Sequence, residues 1–348
     1  PSSTTVPPTT IASPVAPPAV AADLDARLQG ARDAFVQSST TAGVSAAVLW
    51  PDGTFWEGAA GWADEEAGRA LTPGDTMRVA SVTKAFTATV LMQLVEEGRL
   101  GLDDPVAPLL PGLGLDETLT LRHLLGHRSG LWNYTIDAGA GLANDARDPR
   151  EIVALALDHG QVFAPGSHFA YSNTNYLVAG LVIEAVTGNR AEDELRSRVL
   201  EPAGCAAGFM VGSEPGEVTA VPYGDAGSGY GRRDYDVFAW TAGGMAATPE
   251  DLVRFLAALF DGSLVQPAGL EEMTTAGDTY GEGAEYGLGL ELLDIGGSPA
   301  WGHRGGIPGY LSAVFHFPEA GVTIAVTSND WRGGDLMGLV GELAGLAL

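Results

Sequence analysis

The segment RVASVTKAFTATVLMQLVEEGRL, residues 78–100, predicts the central helix of this protein. The pattern places the helix from Ser81 to Glu97, with Gly98 as a C-terminal cap, because glycine readily adopts the left-handed conformation that ends helices. Its apolar residues recur at steps of three and four, which is the spacing of one helix face: Phe86, Val90, Leu91, Leu94 and Val95. We therefore expect this helix to lie in the core.

The sequence around this helix predicts strands near both ends of the chain and helices between them. The predicted strands are Val44–Trp50 and Thr54–Ala63, joined at Asp52-Gly53, and Tyr310–Phe317 and Val322–Thr327. The other predicted helices are Leu24–Gln37, Leu119–Gly126, Ile152–His159, Asn175–Gly188, Ala191–Leu200 and an apolar helix from Gly334 onward. This order predicts an α+β fold with an antiparallel sheet domain (residues 23–80 and 240–348) and an inserted, mostly helical domain (residues 81–239).

The first 22 residues have a different composition from the rest of the chain. Pro1–Ala22 is rich in Pro, Ser, Thr and Ala, and it has no charge and no periodicity, so we expect an extended linker. The sequence does not begin with Met, which favours the earlier removal of a signal peptide. We therefore expect a secreted or surface-tethered protein, and a vector-derived remnant is the alternative interpretation.

Composition narrows the possible partners and cofactors. The chain has 18 basic and 44 acidic residues, and the net charge of −26 disfavours binding to nucleic acid or to an anionic membrane surface. It contains no run of about 18 apolar residues, so no membrane-spanning segment is predicted. The single cysteine, Cys205, excludes an internal disulfide and is expected to be a structural residue in or near a helix end. No Gly-x-Gly-x-x-Gly follows a predicted strand, and no cofactor is predicted.

Ser81 and Lys84 are the first candidates for catalysis. They lie three residues apart at the start of the predicted helix, so their side chains share a face. A serine hydroxyl needs a base to become a nucleophile, and a lysine amine can be that base when burial lowers its pKa. Ser-x-x-Lys alone is a weak motif, but Lys84 is the only lysine beside 17 arginines. Arginine cannot lose its proton in a protein, so the sequence predicts Ser81 as nucleophile and Lys84 as base.

Two other segments are candidates for the same site. Tyr171-Ser172-Asn173 precedes a predicted helix, where Ser172 or Asn173 could instead be an N-cap and Tyr171 a packing residue. His303-Arg304-Gly305, within WGHRGGIPGY (residues 301–310), is predicted to lie directly before a strand. Its glycines would let a substrate backbone approach an edge strand, although a glycine-rich turn is an equal interpretation.

In this order, the three segments resemble the motifs Ser-x-x-Lys, Tyr-x-Asn and Lys/His-x-Gly of the serine D-Ala-D-Ala carboxypeptidases and class C β-lactamases. The similarity is greatest to the secreted carboxypeptidases of actinomycetes and their relatives. It runs from about Leu24 to the C-terminus and includes LLGHRSGLWNY (residues 124–134), YSNTNYLVAGLVIEAVTG (171–188) and YGLGLEL (286–292). The resemblance implies a β-lactamase/transpeptidase-like fold and an acyl-enzyme on Ser81, with peptides or β-lactams as substrates.

The resemblance also implies a role for each matching residue. Ser81 would attack the scissile carbonyl, while Lys84 and Tyr171 would shuttle its proton and Tyr171 would serve the leaving amine. Asn173 would hydrogen-bond the side amide of the substrate. The backbone N–H groups of Ser81 and Gly306 would form the oxyanion hole.

The third motif departs from the family in two places. His303 replaces the lysine of the β-lactamases, which favours a peptidase, whereas Arg304 stands where a hydroxyl residue is common. Glu291 occupies the place of an arginine that helps to bind the substrate carboxylate in the most similar carboxypeptidases. One hypothesis is that Arg304 takes over this role. The alternative is that Glu291 indicates substrates with a free amine or a neutral end.

We expect in the first place a D-alanyl-D-alanine carboxypeptidase. The alternatives are a β-lactamase, a D-aminopeptidase, a broad esterase, or a penicillin-binding module that is acylated without turnover. Two other patterns in the sequence do not indicate a site. Gly126–Gly130 has its serine one place late for Gly-x-Ser-x-Gly, and His123 and His127 have the spacing of a metal pair without the adjacent glutamate of zinc peptidases, so no metal site is predicted.

Overall fold

A computed structural model describes residues 18–136, 148–224, 239–277, 279–281, 283–332 and 334–348. Its α-helices are α1 Ala22–Ser38, α2 Thr83–Glu96, α3 Leu121–Leu125, α4 Pro149–Asp158, α5 Asn173–Thr187, α6 Ala191–Leu195, α7 Glu201–Ala203, α8 Trp240–Gly243, α9 Pro249–Phe260, α10 Pro267–Thr274 and α11 Leu336–Ala347. Its strands are β1 Gly43–Leu49, β2 Phe55–Asp64, β3 Arg69–Ala70, β4 Met77–Arg78, β5 Phe209–Met210, β6 Met245–Ala247, β7 Thr279–Tyr280, β8 Ala284–Tyr286, β9 Glu291–Ile295, β10 Ser298–Ile307, β11 Tyr310–Phe317 and β12 Val322–Ser328. Short 3₁₀ turns span Ala80–Val82 and Ala107–Leu109, and a π turn spans Arg196–Leu200.

The main sheet combines strands from both ends of the chain. In the described residues its order is β3-β2-β1-β12-β11-β10-β9-β8-β7, and neighbouring strands are antiparallel. The junction is the pair β1–β12, in which Val44 lies opposite Ser328 and Leu49 opposite Thr323. A small second sheet has the order β4-β6-β5. The predicted α+β fold with an antiparallel sheet and flanking helices is confirmed.

Helices cover both faces of the main sheet because its central strands are apolar on both sides. Helices α1 and α11 pack against each other and on one face, where Ile324 of β12 joins their cluster. Helix α9 packs on the opposite face, where the neighbouring Ala325 joins the larger cluster that includes α2 and α5. This alternation follows from the two-residue side-chain period of a strand.

Helix α2 lies at the centre of the larger cluster, as the sequence predicts. Residues 83–92 are all buried, and Phe86 stacks on Phe255 of α9 with ring centroids 3.6 Å apart. A helix buried on all sides must satisfy its polar residues internally, and Thr87 does so by donating its hydroxyl to the Thr241 carbonyl. Ser81 is an exception to the predicted helix bounds, because it lies in the preceding 3₁₀ turn Ala80–Val82.

The third motif precedes the predicted strand β11, but it also lies within a strand of its own, which was not predicted. His303, Arg304 and Gly305 lie inside β10, which runs from Ser298 to Ile307 and pairs with β11 along the segment 301–307. The pairing of β10 with β9 extends only from Ser298 to Gly302. The sequence did not indicate this strand because glycines usually weaken strands, whereas here a close approach of backbone requires them.

Three expectations concern regions that the structure describes only in part. Of the predicted linker Pro1–Ala22, residues 1–17 lie outside the described ranges, and α1 begins at Ala22. The division into a sheet domain and an inserted helical domain stays a prediction. Among the helices that are described, none has the length and apolarity needed to cross a membrane.

Candidate active site

Lys84 lies beside Ser81 at the bottom of a site formed by α2, α5, α8 and β10. Its Nζ lies 3.0 Å from Ser81 Oγ, 2.7 Å from Asn173 Oδ1 and 2.7 Å from the carbonyl oxygen of Ala242. The Lys84 side chain is fully buried, whereas Ser81 is partly exposed. The structure therefore brings the predicted nucleophile and base together, with the nucleophile accessible and the base shielded from water.

The partners of Lys84 are compatible with a neutral amine. Burial lowers the pKa of Lys84 well below its ordinary value, and the charge of Glu291 opposes this shift. A neutral amine has two N–H groups and one lone pair. The two N–H groups can donate to Asn173 Oδ1 and the Ala242 carbonyl, which leaves the lone pair for the hydroxyl of Ser81. This arrangement suits a general base.

The orientation of the Asn173 amide is determined by its second hydrogen bond. Asn173 Nδ2 donates to Thr135 Oγ1 at 3.0 Å, and the Thr135 hydroxyl in turn donates to Asn133 Oδ1 at 3.0 Å. The Asn173 oxygen therefore faces Lys84. The expected N-cap is at Ser172, but its side chain makes no capping bond, which leaves Asn173 at the first turn of α5 and directed into the site.

The segment before Ser81 is held from two sides. Val79 donates its N–H to the Met245 carbonyl and accepts a hydrogen bond from Ser312 Oγ at 2.7 Å. Between Val79 and Ser81, Ala80 has a positive φ of 48°, a conformation that costs a non-glycine residue about 1–3 kcal/mol. Strain of this kind persists only where the surrounding contacts enforce it, so Ser81 is held in one position.

Gly305 is the residue that lets β10 approach the nucleophile segment. A Cβ at this position would lie 2.3 Å from both Val79 O and Ser312 Oγ, so only glycine fits. Gly306 follows and is exposed, next to the Trp331 ring. The structure thus brings the third motif against the Ser81 segment, as the proposed oxyanion hole requires.

Tyr171 lies between Lys84 and a group of aromatic rings. The Lys84 Nζ is 4.9 Å from the centroid of the Tyr171 ring, and Tyr171 is partly buried. His127 packs on the Tyr171 ring at 4.1 Å between centroids, and Tyr286 lies edge-on to it at 6.1 Å. This location agrees with a role for Tyr171 in proton transfer near Ser81.

His303 is a buried neutral imidazole behind this group. Its Nε2 lies 3.0 Å from Tyr286 Oη, and its Nδ1 lies 2.5 Å from the Arg304 carbonyl oxygen. Burial lowers the pKa of His303 to about 4, although the charge of Glu291 opposes the shift. His303 therefore does not supply the positive charge that a lysine at this position would carry at neutral pH.

Arg304 and Glu291 form an ion pair that the sequence did not reveal. Arg304 Nε donates to Glu291 Oε2 at 2.8 Å, and Glu291 is buried while Arg304 is partly exposed. Glu291 also lies 3.7 Å from His303 Nδ1. The hypothesis that Arg304 is a dedicated carboxylate-binding cation is thus weakened, because a buried carboxylate already neutralises it.

The other sequence candidates have structural roles. His123 caps α3 by accepting the Thr120 N–H on Nδ1, and Ser129 Oγ accepts the N–H of Leu131 within its own loop. Within the described parts of the chain, no three His, Cys, Asp or Glu side chains are arranged to hold a metal ion. Cys205 is buried just after the short helix α7, and its S–H group donates to the Asp251 carbonyl.

Comparisons with known proteins agree with this geometry. The Beta-lactamase family matches residues 28–347. Penicillin-binding protein 4 of Amycolatopsis lactamdurans is 31% identical over 87% of this chain and 86% of its own length, and Esterase EstB of Burkholderia gladioli is 31% identical over 87% and 83%. The crystal structure of D-amino acid amidase from Ochrobactrum anthropi SV3, complexed with L-phenylalanine amide, superposes with a TM-score of 0.85 at 31% identity, covering 93% of this chain and 98% of the amidase.

Proposed function

Because this chain belongs to the beta-lactamase family of serine hydrolases, we propose that it is an amidohydrolase for small D-amino-acid amides and peptides that lack a terminal carboxylate. One observation carries the proposal, namely the ion pair between Arg304 and the buried Glu291. The similarity to D-amino acid amidase over nearly the whole chain supports the same substrate class.

The proposed reaction has two steps. Lys84 takes the proton of Ser81 while Oγ attacks the amide carbonyl, and the backbone N–H groups of Ser81 and Gly306 stabilise the negative oxygen. The C–N bond then breaks as Tyr171 gives its proton to the leaving amine, and Lys84 passes the proton from Ser81 to Tyr171, so both groups return to their starting states. A water molecule then hydrolyses the resulting ester on Ser81. This step releases the carboxylic acid and restores the Ser81 hydroxyl.

The charge arrangement explains the preference for substrates without a carboxylate. A carboxylate that bound Arg304 would compete with Glu291, and breaking the pair would leave Glu291 charged and buried. The net charge of −26 also repels anionic substrates at long range. Neutral amides avoid both costs.

A second candidate function is D-alanyl-D-alanine carboxypeptidase, with acylation by β-lactams. The similarity to Penicillin-binding protein 4 over most of both chains favours it. It requires the guanidinium of Arg304 to donate hydrogen bonds to a substrate carboxylate while it is paired with Glu291. Turnover of esters or penicillins, or acylation without turnover, would be further properties of the same serine.

Two substrates that differ only in the terminal group separate these functions. We expect kcat/KM for an N-acylated D-Ala-D-Ala amide to exceed that for the corresponding D-Ala-D-Ala acid by about tenfold, equivalent to about 1.4 kcal/mol. Glu291→Gln removes the competing charge from Arg304, so this ratio should fall several-fold. The Glu285→Gln variant changes the net charge equally on the adjacent strand β8 and should preserve the ratio.

The outcomes point to different functions. Faster cleavage of the acid by the wild type would favour the carboxypeptidase. Stable adducts with benzylpenicillin, without cleavage of either peptide, would favour a penicillin-binding module. Ser81→Ala should abolish every one of these reactions, which identifies any activity from another source.

We also propose that the protein acts outside the cytoplasm. The composition of Pro1–Ala22, which is typical of extended linkers between a surface and a domain, is the support for this location.

A further inference from the structure

His127 occupies an unusual position in direct contact with Tyr171. It follows α3, is fully buried, and has a positive φ of 56°. A non-glycine residue in this conformation costs about 1–3 kcal/mol. The contacts around it must compensate for that cost, and they include packing on Tyr171, at 4.1 Å between ring centroids and 32° between ring planes.

The hydrogen bonds of His127 determine which of its nitrogens carries the proton. Nδ1 accepts the backbone N–H of Ser172 at 3.2 Å and lies 3.1 Å from Asn175 Nδ2. The Asn175 oxygen accepts from Ser129 Oγ, so its NH₂ group faces His127. Nδ1 therefore carries no proton, and the neutral imidazole has its proton on Nε2.

The second nitrogen has no hydrogen-bond partner among the residues that the structure describes. Nε2 of His127 is buried without one, although an unsatisfied buried donor costs about 1–3 kcal/mol. The surrounding rings are those of Phe169, Tyr176 and Tyr286, at 6.0, 5.4 and 4.7 Å from the imidazole. A phenylalanine could fill this aromatic site without burying an unsatisfied Nε2–H, but it would leave the N–H of Ser172 without its acceptor, so packing alone does not explain the histidine.

Compared with phenylalanine, the imidazole adds an acceptor, Nδ1, for the Ser172 N–H. Ser172 directly follows Tyr171 in the chain. The imidazole of His127 therefore packs on the Tyr171 ring and also accepts, on Nδ1, the N–H of the peptide that joins Tyr171 to Ser172. Two attachments to one residue restrict both its backbone and its χ1 angle. The phenol then keeps one direction relative to Lys84 and Ser81.

We propose that His127 is a positioning residue that holds Tyr171 in the orientation needed to protonate the leaving group. The proposal rests on the proposed function only in giving Tyr171 this role. It predicts a particular kinetic defect. A poor leaving group must receive a proton as its bond breaks, whereas an activated phenol leaves as an anion without one. Loss of His127 should therefore slow poor leaving groups more than good ones.

The test uses a series of esters with one acyl group and phenol or alcohol leaving groups of increasing pKa. Acylation by wild type, His127→Phe and His127→Asn is compared under single-turnover conditions. We expect His127→Phe to lose about tenfold in rate with the poorest leaving group and less than about twofold with nitrophenol, so that the slope against leaving-group pKa becomes steeper. Asparagine tolerates positive φ and supplies an acceptor, so the slope of His127→Asn should lie between the slopes of the wild type and His127→Phe.

His316 provides a matched control. It is also a buried histidine stacked on an aromatic ring, at 4.4 Å from Phe260, and its Nδ1 lies 2.9 Å from Thr323 Oγ1. His316→Phe should leave the slope unchanged. Equal loss across the whole series in His127→Phe, or no loss at all, would overturn the proposal. Because esters are used, the slope can be measured even if the wild type cleaves no amide, which would count against the proposed function alone.

Discussion

Replacing Lys84 by arginine is expected to lower the rate of Ser81 acylation at neutral pH by about 10⁴-fold, the upper range for loss of a general base. Arginine retains the positive charge but cannot accept the serine proton. Its guanidinium also has no lone pair to direct at Ser81 Oγ while it donates to Asn173 and Ala242. Rapid-quench measurement of adduct formation, followed by intact mass, gives the rate directly.

Lys84→Met serves as the companion variant. It keeps a long unbranched side chain without charge or basicity, so it should lose as much activity as Lys84→Arg. Thermal unfolding of both variants establishes that the loss does not come from misfolding. If Lys84→Arg kept a tenth or more of the wild-type rate, the base would have to be another group, and Tyr171 would be the first candidate.

The rate of acylation should fall about tenfold for each pH unit below the Lys84 pKa, or about a hundredfold over two units. Only the neutral amine can accept the Ser81 proton, so the rate follows the deprotonated fraction and rises with pH. Burial lowers this pKa and the charge of Glu291 raises it. Glu291→Gln should therefore move the acid limb of the profile to lower pH, whereas Glu285→Gln should not.

A profile without an acid limb, or one that is the same in Glu291→Gln, would contradict this account.

The free energy of unfolding also falls as the pH falls, so stability has to be measured separately from activity. Burial lowers the pKa of His303 and His316 from 6.5 to about 4, so between these values the unfolded chain binds more protons than the folded one. Acid therefore favours unfolding across this range, and activity at low pH should be compared with circular dichroism under the same conditions.

Ser81 and Lys84 could be selected as candidates from local sequence, whereas Tyr171 became a candidate only through the resemblance of its segment to a family motif. Helical spacing placed Ser81 and Lys84 on one face, and the exclusive use of arginine elsewhere identified Lys84 as exceptional. The hairpin β1–β2 was also predictable, since the turn Asp52-Gly53 lies between two apolar runs, and Gly53 has the positive φ that such a turn requires.

The remaining parts of the site depend on contacts between distant segments. The Ala242 carbonyl that accepts from Lys84 is a backbone atom of α8, and no side-chain pattern marks it. The pair Arg304–Glu291 depends on the register of β9 against β10, where Glu291 lies opposite Gly302. Sequence spacing alone does not define that register, although the departure of both residues from the family pattern was a usable signal.

The junction of β1 with β12 has a consequence for biosynthesis. The two strands are separated by more than 270 positions, so β1 and its hairpin emerge from the ribosome long before their central partner exists. Until β12 arrives, the apolar inner strand β1 has an unpaired edge that can associate with other chains. Folding of the main sheet is therefore a late event that requires the C-terminal segment. Chains truncated before β12 should accumulate as aggregates rather than as smaller folded domains.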